Sequence, residues 1–321
     1  MTTLARGDSG REVAELQRRL RNIGFPTGDD PAAVFDGGTE AALRRFQTER
    51  GLVPDGACGQ RTWNLLVEAG FSPNERLLCL VSPMVRGEDV AELQLRLGGL
   101  GFDAGKVDGI FGPKTQLALR DFQRNAGLIC DDVCGPDTWE ALERLESRAG
   151  QRVVADVREQ ERLRQIRDGL IDLRLAVGAT PAGTGLAERL AQLADATGET
   201  VIVTSGTWDE QAAAANAGRS VDLVLGIDVV DEPVTRANYF EVPGYSSFGG
   251  QRLARLLVEA LDQTAGLPPA VVNGTRLPLL RETRPPAVLL ELGPSAVVEE
   301  HLEVLAGALL RAVEAWSGHD V

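Results

Sequence analysis

At 321 residues, 43% apolar and 25% charged, the chain has the composition of an ordinary globular protein, long enough for two or three domains. A formal net charge of −14 and a pI near 4.7 exclude a basic phosphate-binding face, so no nucleic-acid partner is expected. The start, Met1 to Asp8, places no apolar stretch behind a basic one, and no later run suits a bilayer, so a cytoplasmic protein without membrane insertion is expected.

The first half of the chain is a repeat. Val13-Ala14-Glu15-Leu16-Gln17 returns 77 positions later as Val90-Ala91-Glu92-Leu93-Gln94. Phe46-Gln47, Gly51-Leu52, Cys58-Gly59 and Thr62-Trp63 return 76 positions later as Phe122-Gln123, Gly127-Leu128, Cys134-Gly135 and Thr138-Trp139. One residue has therefore been lost or gained in the loop between the first block and the rest, and two modules are expected, at residues 1–70 and 80–147.

Each module reads as three helices. Val13, Leu16, Leu20 and Ile23 make the apolar stripe of the first, with Asp8 or Ser9 as N-cap and Gly24 at its close; Val90, Leu93, Leu97 and Leu100 repeat the stripe. A second helix is expected from Thr39 or Thr115 to Gly51 or Gly127, where glycine can take the left-handed C-terminal conformation. The third follows Gly59 or Gly135, with Pro136 in a first turn, and carries Trp63 and Leu66, or Trp139 and Leu142, toward the core. Cys58 and Cys134 hold one place in the two copies and read as small buried apolar residues. Cys130 and Cys134 lack a second ligand pair, so their spacing predicts a turn and not a metal site.

Asp108-Gly109-Ile110-Phe111-Gly112-Pro113-Lys114-Thr115, followed by Ala118-Leu119, Phe122-Gln123, Gly127-Leu128 and Thr138-Trp139, resembles the peptidoglycan-binding domain type 1. That resemblance implies recognition of muropeptides, from peptidoglycan or its precursors, in a shallow groove between helices. Asp108, Gly109, Lys114 and Gln123 are the candidate ligand contacts; turn chemistry and helix capping account for the same residues equally well. In the first copy Asp108-Gly109 falls on Ala32-Ala33, and Gly112-Pro113 falls on Asp36-Gly37.

Residues 150–321 follow a different pattern. After a charged helical segment, Val157 to Arg164, strands are expected at Leu170–Val177, Thr200–Thr204, Val221–Ile227, Ala237–Val242 and Ala287–Leu292. Helices are expected at Gly185–Ala196, Trp208–Gly218, Ser247–Ala265 and Ala296–Trp316. Strands separated by helices predict a mostly parallel sheet with any ligand at the strands' carboxyl ends. The predicted fold is thus multidomain: two small three-helix bundles followed by an α/β domain.

Val201-Ile202-Val203-Thr204-Ser205, Val221 to Ile227, and Leu279-Leu280-Arg281-Glu282-Thr283 with Pro286 to Gly293 resemble the zinc-dependent N-acetylmuramoyl-L-alanine amidases of type 3. The resemblance implies two histidines and a glutamate on zinc and a second glutamate as acid and base. The ligands do not carry over. Gly178 to Gly183 holds no histidine, Glu188 is a doubtful ligand substitute, and Asp228 occupies the second zinc-histidine position. Glu291 matches the catalytic glutamate, as a vestige or a working residue, and the only histidines are His301 and His319.

No metal cofactor is therefore expected, the alternative being zinc in an active amidase that cleaves between N-acetylmuramic acid and L-alanine. The combination of binding repeats with a metal-poor amidase-like domain resembles cytoplasmic regulators of actinobacterial cell-wall synthesis. It implies as partners peptidoglycan fragments or precursors and a cell-wall biosynthetic enzyme.

Overall fold

The repeated motifs fold twice into one three-helix arrangement in a computed structural model describing residues 3–146, 154–167, 173–197, 200–217, 221–262 and 266–318. His319 and the first residues of the strand expected from Leu170 lie outside the described residues. The chain divides into two units, Met1–Ala155 and Asp156–Val321.

In the first unit the helices are α1 (Arg11–Asn22), α2 (Gly37–Glu49) and α3 (Gln60–Ala69), then α4 (Glu88–Gly99), α5 (Pro113–Ala126) and α6 (Pro136–Glu146). The predicted stripes are buried: Val13, Leu16, Leu20, Leu43, Phe46 and Leu66 in one core, and Val90, Leu93, Leu97, Leu119, Phe122 and Leu142 in the other. Phe25 meets Phe46 edge to face at 5.5 Å, and Phe102 meets Phe122 likewise at 5.7 Å. Trp139 is fully inside, whereas Trp63 is only partly buried against its core.

The start of α1 differs from the reading. Its N-cap is Gly10 at φ 122°, without a side-chain cap, and Asp8 accepts instead from the Ala5 N–H at 2.8 Å. Glycine tolerates that φ where Asp8 or Ser9 would not, so the chain turns into the helix later. The second helices also begin two residues early; Asp36 accepts from Gly37 N–H ahead of α2, and Pro113 opens α5.

The segment between the modules is anchored. Arg76 stacks on Phe71 with its guanidinium 3.6 Å from the ring centre, and its Nε donates to the buried Asp89 at 2.7 Å. Leu78, two residues ahead of the expected boundary, is fully buried in the second core and bridges to Cys134, as Leu4 does to Cys58 in the first. Across the modules Arg50 of the first meets Glu88 of the second at 2.7 Å.

The second unit contains α7 (Val154–Arg167), β1 (Arg174–Ala179), a 3-10 turn (Pro181–Gly183), α8 (Thr184–Thr197), β2 (Thr200–Thr204) and α9 (Trp208–Ala217). There follow β3 (Leu223–Val229), β4 (Val234–Val242), β5 (Tyr245–Ser246), α10 (Phe248–Leu261), β6 (Val271–Thr275), α11 (Pro278–Glu282), β7 (Ala287–Gly293), α12 (Ser295–Glu300) and α13 (Leu302–Ser317). The sheet order is β2-β1-β3-β7-β4-β5, with β6 beside β4.

The β1, β2, β3 and β7 strands run parallel, as expected, but β4 lies antiparallel to β7 and begins at Val234, ahead of the predicted Ala237. One face packs Val177, Leu225, Ile227, Leu290 and Leu292 against residues of α8, α10 and α13, including Leu190, Leu257 and Leu309. On α7, Arg162 Nε donates to the buried Asp222 at 3.0 Å, and Glu159 accepts from Ser247 Oγ at 2.7 Å and Phe248 N–H at 2.9 Å. The charged helix is thereby tied to the sheet and to the start of α10.

Candidate functional site

Four buried glutamines organise the helical modules, each clamping the turn that follows its helix. Gln94 donates through Nε2 to Asp108 Oδ1, the Ile110 carbonyl and Thr115 Oγ1, and accepts through Oε1 from the N–H groups of Asp108 and Gly109. Gln123 does the same with Asp131, the Val133 carbonyl, Thr138 and the Asp132 N–H. Gln17 and Gln47 repeat the pattern in the first module, where the Pro31 carbonyl takes the place of the Asp108 side chain.

In all four turns glutamine Oε1 receives the amide of a left-handed residue, Ala33 (φ 63°), Gly56 (73°), Gly109 (73°) or Asp132 (62°), and in the Gln94 turn the Asp108 amide as well. Each module is thus a doubled helix–turn–helix unit. The signal stands in the second copy as Asp108-x-x-x-Gly112-Pro113-x-Thr115 against Asp131-x-x-x-Gly135-Pro136-x-Thr138, a half-repeat inside the repeat.

These clamps redefine the four candidate contacts. Asp108 and Gly109 are partners of Gln94, and Gln123 is 1% exposed with both ends of its amide engaged. Lys114 lies on the surface, its Nζ 3.9 Å from Asp103. The Val133 N–H and the Gln123 amide hold the Asp131 carboxyl below its ordinary range, and hydrogen bonding to Arg120 does so for Asp132. Burial pushes the Cys58 thiol up to about 12 and raises Cys134 as well, as expected of buried apolar residues.

A groove of about 290 Å³ in the second module is lined by Gly99, Leu100, Phe102, Phe122, Asn125, Ala126 and Leu145.

In the α/β domain, alternation along the strands sends Ile227, Val229, Leu290 and Leu292 into the main core and Asp228 and Glu291 to the opposite face. Asp228 and Glu291 are register partners on β3 and β7, and Glu291 and Arg236 are partners on β7 and β4. The three therefore form one row near the carboxyl ends of β3 and β7, where a ligand is expected in such sheets.

Arg236 Nη1 lies 3.0 Å from Glu291 Oε2, which also accepts from Asn238 Nδ2 at 2.8 Å. Asn238 is buried, donates to the Leu289 carbonyl, and accepts from Asn273 at 2.8 Å. Burial raises the Asp228 carboxyl, a hydrogen bond from Thr180 opposes this, and the charge of Glu291 adds to it. At the end of β1, just ahead of the loop where a first zinc histidine is implied, the buried Gln211 of α9 donates to the Ala179 carbonyl, and it donates also to the Gly206 carbonyl.

Among the described residues no group of three His, Cys, Asp or Glu side chains could hold a metal ion. His301 sits between α12 and α13, and Glu188 is on α8. The described residues do not fit a three-ligand zinc centre: among them Asp228 has no imidazole partner, and a guanidinium already balances Glu291. Sequence reading missed Arg236, Asn238 and Asn273; the alternation of Arg236, Asn238 and Phe240 along one strand is the signal that could have found the first two.

No helix among the described residues is long and apolar enough to cross a membrane. Residues 9–66 and 86–142 match the family described as putative peptidoglycan binding domain. The chain is 32% identical to the N-acetylmuramoyl-L-alanine amidase CwlM of Mycobacterium tuberculosis, across 89% of this chain and 80% of the relative. It is 31% identical to the N-acetylmuramoyl-L-alanine amidase CwlL of Bacillus licheniformis, across 45% of this chain and 46% of the relative. The crystal structure of the N-acetylmuramoyl-L-alanine amidase from Clostridium difficile 630 aligns with 45% of this chain and 96% of its own, at 14% identity and a TM-score of 0.38.

Proposed function

Because the chain belongs to the family of the N-acetylmuramoyl-L-alanine amidase CwlM, we propose that it binds peptidoglycan fragments or precursors through its helical modules and regulates cell-wall synthesis. On this reading the α/β domain is an amidase homologue without catalytic zinc. The observation that carries the reading is the ion pair of Glu291 with Arg236, beside Asp228 at a zinc-histidine position.

A metal-dependent amidase needs a dication to acidify water and a carboxylate free to take its proton. Here the carboxylate at the catalytic position accepts from Arg236 and Asn238, and the cationic partner is a side chain. A dication brought beside Glu291 would face that guanidinium across a few ångströms, and like charges at such range repel. The row instead offers a partly exposed acid and guanidinium, fixed from beneath by the buried Asn238 amide. It is a docking face for a protein partner, and a cell-wall biosynthetic enzyme in the cytoplasm is the partner class consistent with the family.

The experiment is a paired assay on the full chain. Purified protein is expected to contain substoichiometric zinc, to leave the bond between N-acetylmuramic acid and L-alanine intact, and to sediment with isolated sacculi. Stoichiometric zinc with cleavage abolished by Glu291→Ala would establish the active amidase instead. Failure to sediment would remove the binding half of the proposal.

A further inference from the structure

The sheet of the α/β domain ends on one side in β6, and the residues of this strand, Val271 to Thr275, pair with β4 alone. Among the described residues no backbone group meets its opposite edge. Val271 is 48% exposed and Val272 37%, and Asn273 is exposed beside them. An open edge is usually blunted by a charge, a proline or a bulge, because its free N–H and C=O groups pair with any strand that arrives. Val-Val-Asn-Gly-Thr has neither charge nor proline, and its register with β4 runs without a bulge. In a chain of net charge −14, the whole run between Asp262 and Arg276 is uncharged.

The register assigns the two faces of the strand. Val271, Asn273 and Thr275 lie beside Arg236, Asn238 and Phe240, whereas Val272 and Gly274 lie beside Ala237 and Tyr239 on the side of α10. On the first face Asn273 Nδ2 donates to Asn238 Oδ1 at 2.8 Å, and Asn238 Nδ2 donates onward to Glu291 Oε2 at 2.8 Å. A primary amide carries two N–H groups and a carbonyl oxygen, so the inward bond leaves Asn273 a donor and an acceptor to offer outward. On the second face glycine is required at Gly274, because a Cβ there would collide with Glu241 Oε2.

We infer that β6 is a self-association edge, at which two copies of the chain join antiparallel about a two-fold axis through Asn273. In that register Val271 stands opposite Thr275 of the second copy, Val272 opposite Gly274, and Asn273 opposite Asn273. The pairing closes on itself whichever alternate residues turn their N–H and C=O groups outward, since the two-fold maps each alternate set onto itself. The two Asn273 amides exchange their outward donor and acceptor, which carries the Glu291–Asn238–Asn273 chain across the seam. β-Branched pairs of Val271 with Thr275 flank them on the same face. No like charges stand opposite one another, because the two Glu241 carboxylates, like the two Arg276 side chains, fall at opposite ends of the seam.

A foreign strand would find the same backbone groups, but an isologous contact demands that residue i suit j while j suits i. An uncharged strand centred on an amide meets that demand, and a second copy is therefore the occupant. So few residue pairs bury less than the roughly 1,200 Å² of a tight complex, which makes the dimer weak and dependent on concentration. The inference stands apart from peptidoglycan binding and gives the α/β domain one sheet continuous through both copies.

The test is analytical ultracentrifugation of the full chain at low salt, from about 1 μM to about 1 mM. A monomer–dimer equilibrium is expected. Val271→Lys/Thr275→Glu sets opposite charges face to face at both ends of the seam and should keep the dimer. Val271→Lys/Thr275→Lys sets like charges there and should associate roughly ten-fold more weakly than the first variant. Both variants spare Asn273 and its bond to Asn238. Should either fail to fold by circular dichroism, hydrogen exchange of the outward amides of β6 in the unaltered chain, expected to slow as concentration rises, decides the matter.

A chain that stays monomeric throughout, equal association of the two variants, or a dimer with unchanged exchange in β6 would overturn the inference. Slowed exchange of β6 in native cell extract but not in concentrated pure protein would overturn it as well and assign the edge to a foreign strand.

Discussion

Left-handed backbone at the four clamped turns is carried by glycine at Gly56 and Gly109 and by residues with side chains at Ala33 and Asp132. A Cβ in that region costs about 1–2 kcal/mol, and glycine returns part of this through the greater entropy of its unfolded chain. Ala33→Gly is therefore expected to stabilise the first module by a net ~0.5 kcal/mol, and Gly109→Ala to destabilise the second by about 1 kcal/mol, read from urea denaturation midpoints. Asp132→Gly is a poorer test, because it also forfeits the hydrogen bonds from Arg120 and Gln116.

At Asp228 the decisive quantity is the proton. Burial raises its carboxyl, and Glu291 adds to the effect. A carboxyl with a higher pKa in the fold than in the unfolded chain binds its proton more tightly when folded, so it costs stability at pH values above the folded pKa and none below the unfolded one. Asp228→Asn should accordingly raise the melting temperature at pH 7, with the gain shrinking as pH falls through the carboxylate range. A gain that grows on acidification would contradict this origin.

Each glutamine clamp fastens a helix to the following turn and to the threonine in the first turn of the next helix. Removing Gln94 strands a buried set of donors and acceptors at Asp108, Gly109, Ile110 and Thr115, so Gln94→Ala should cost about 3 kcal/mol or more in thermal or urea unfolding. Similar losses are expected for Gln17, Gln47 and Gln123, since each holds an equivalent turn. The helices themselves were legible from apolar spacing, and the parallel strands from short runs such as Val221 to Ile227. The half-repeat was hidden because Asp108 lies 14 positions after its glutamine and Asp131 only 8 after its own.

Elements that depend on tertiary partners were the ones missed. The β6 strand, Val-Val-Asn-Gly-Thr, is short, exposed at Val271 and Val272, and recognisable as a strand only by its pairing with β4. The final helix was read as continuous from Ala296, but the backbone breaks at His301. Arg236 fell just outside the predicted strand, and its cross-strand pairing with Glu291 joins residues 55 positions apart. Periodicity reports which face a residue occupies; it carries no word about which distant strand lies beside it.

On the scale of the whole molecule, Met1–Ala155 and Asp156–Val321 each close their own cores, the first around two phenylalanine pairs and the second around Leu225, Leu290 and Trp316. Produced separately, residues 1–155 and 156–321 should both fold cooperatively, with dispersed amide resonances, and the first should retain the full affinity for sacculi. A fragment that unfolds alone, or a first fragment that fails to sediment, would show that the units depend on one another.

The Arg236–Glu291 pair has a consequence for ancestry. If an amidase preceded this chain, restoring a histidine at position 228 would place a metal ligand beside an arginine that repels the metal, with no first histidine in the Gly178 to Gly183 loop to complete the set. Reversion would need a rebuilt loop, a new ligand and the removal of Arg236, and none of these confers hydrolysis by itself. On the proposed function, a lineage that takes up such an arginine closes the road behind it, and recognition of cell-wall chemistry becomes the trait on which selection acts.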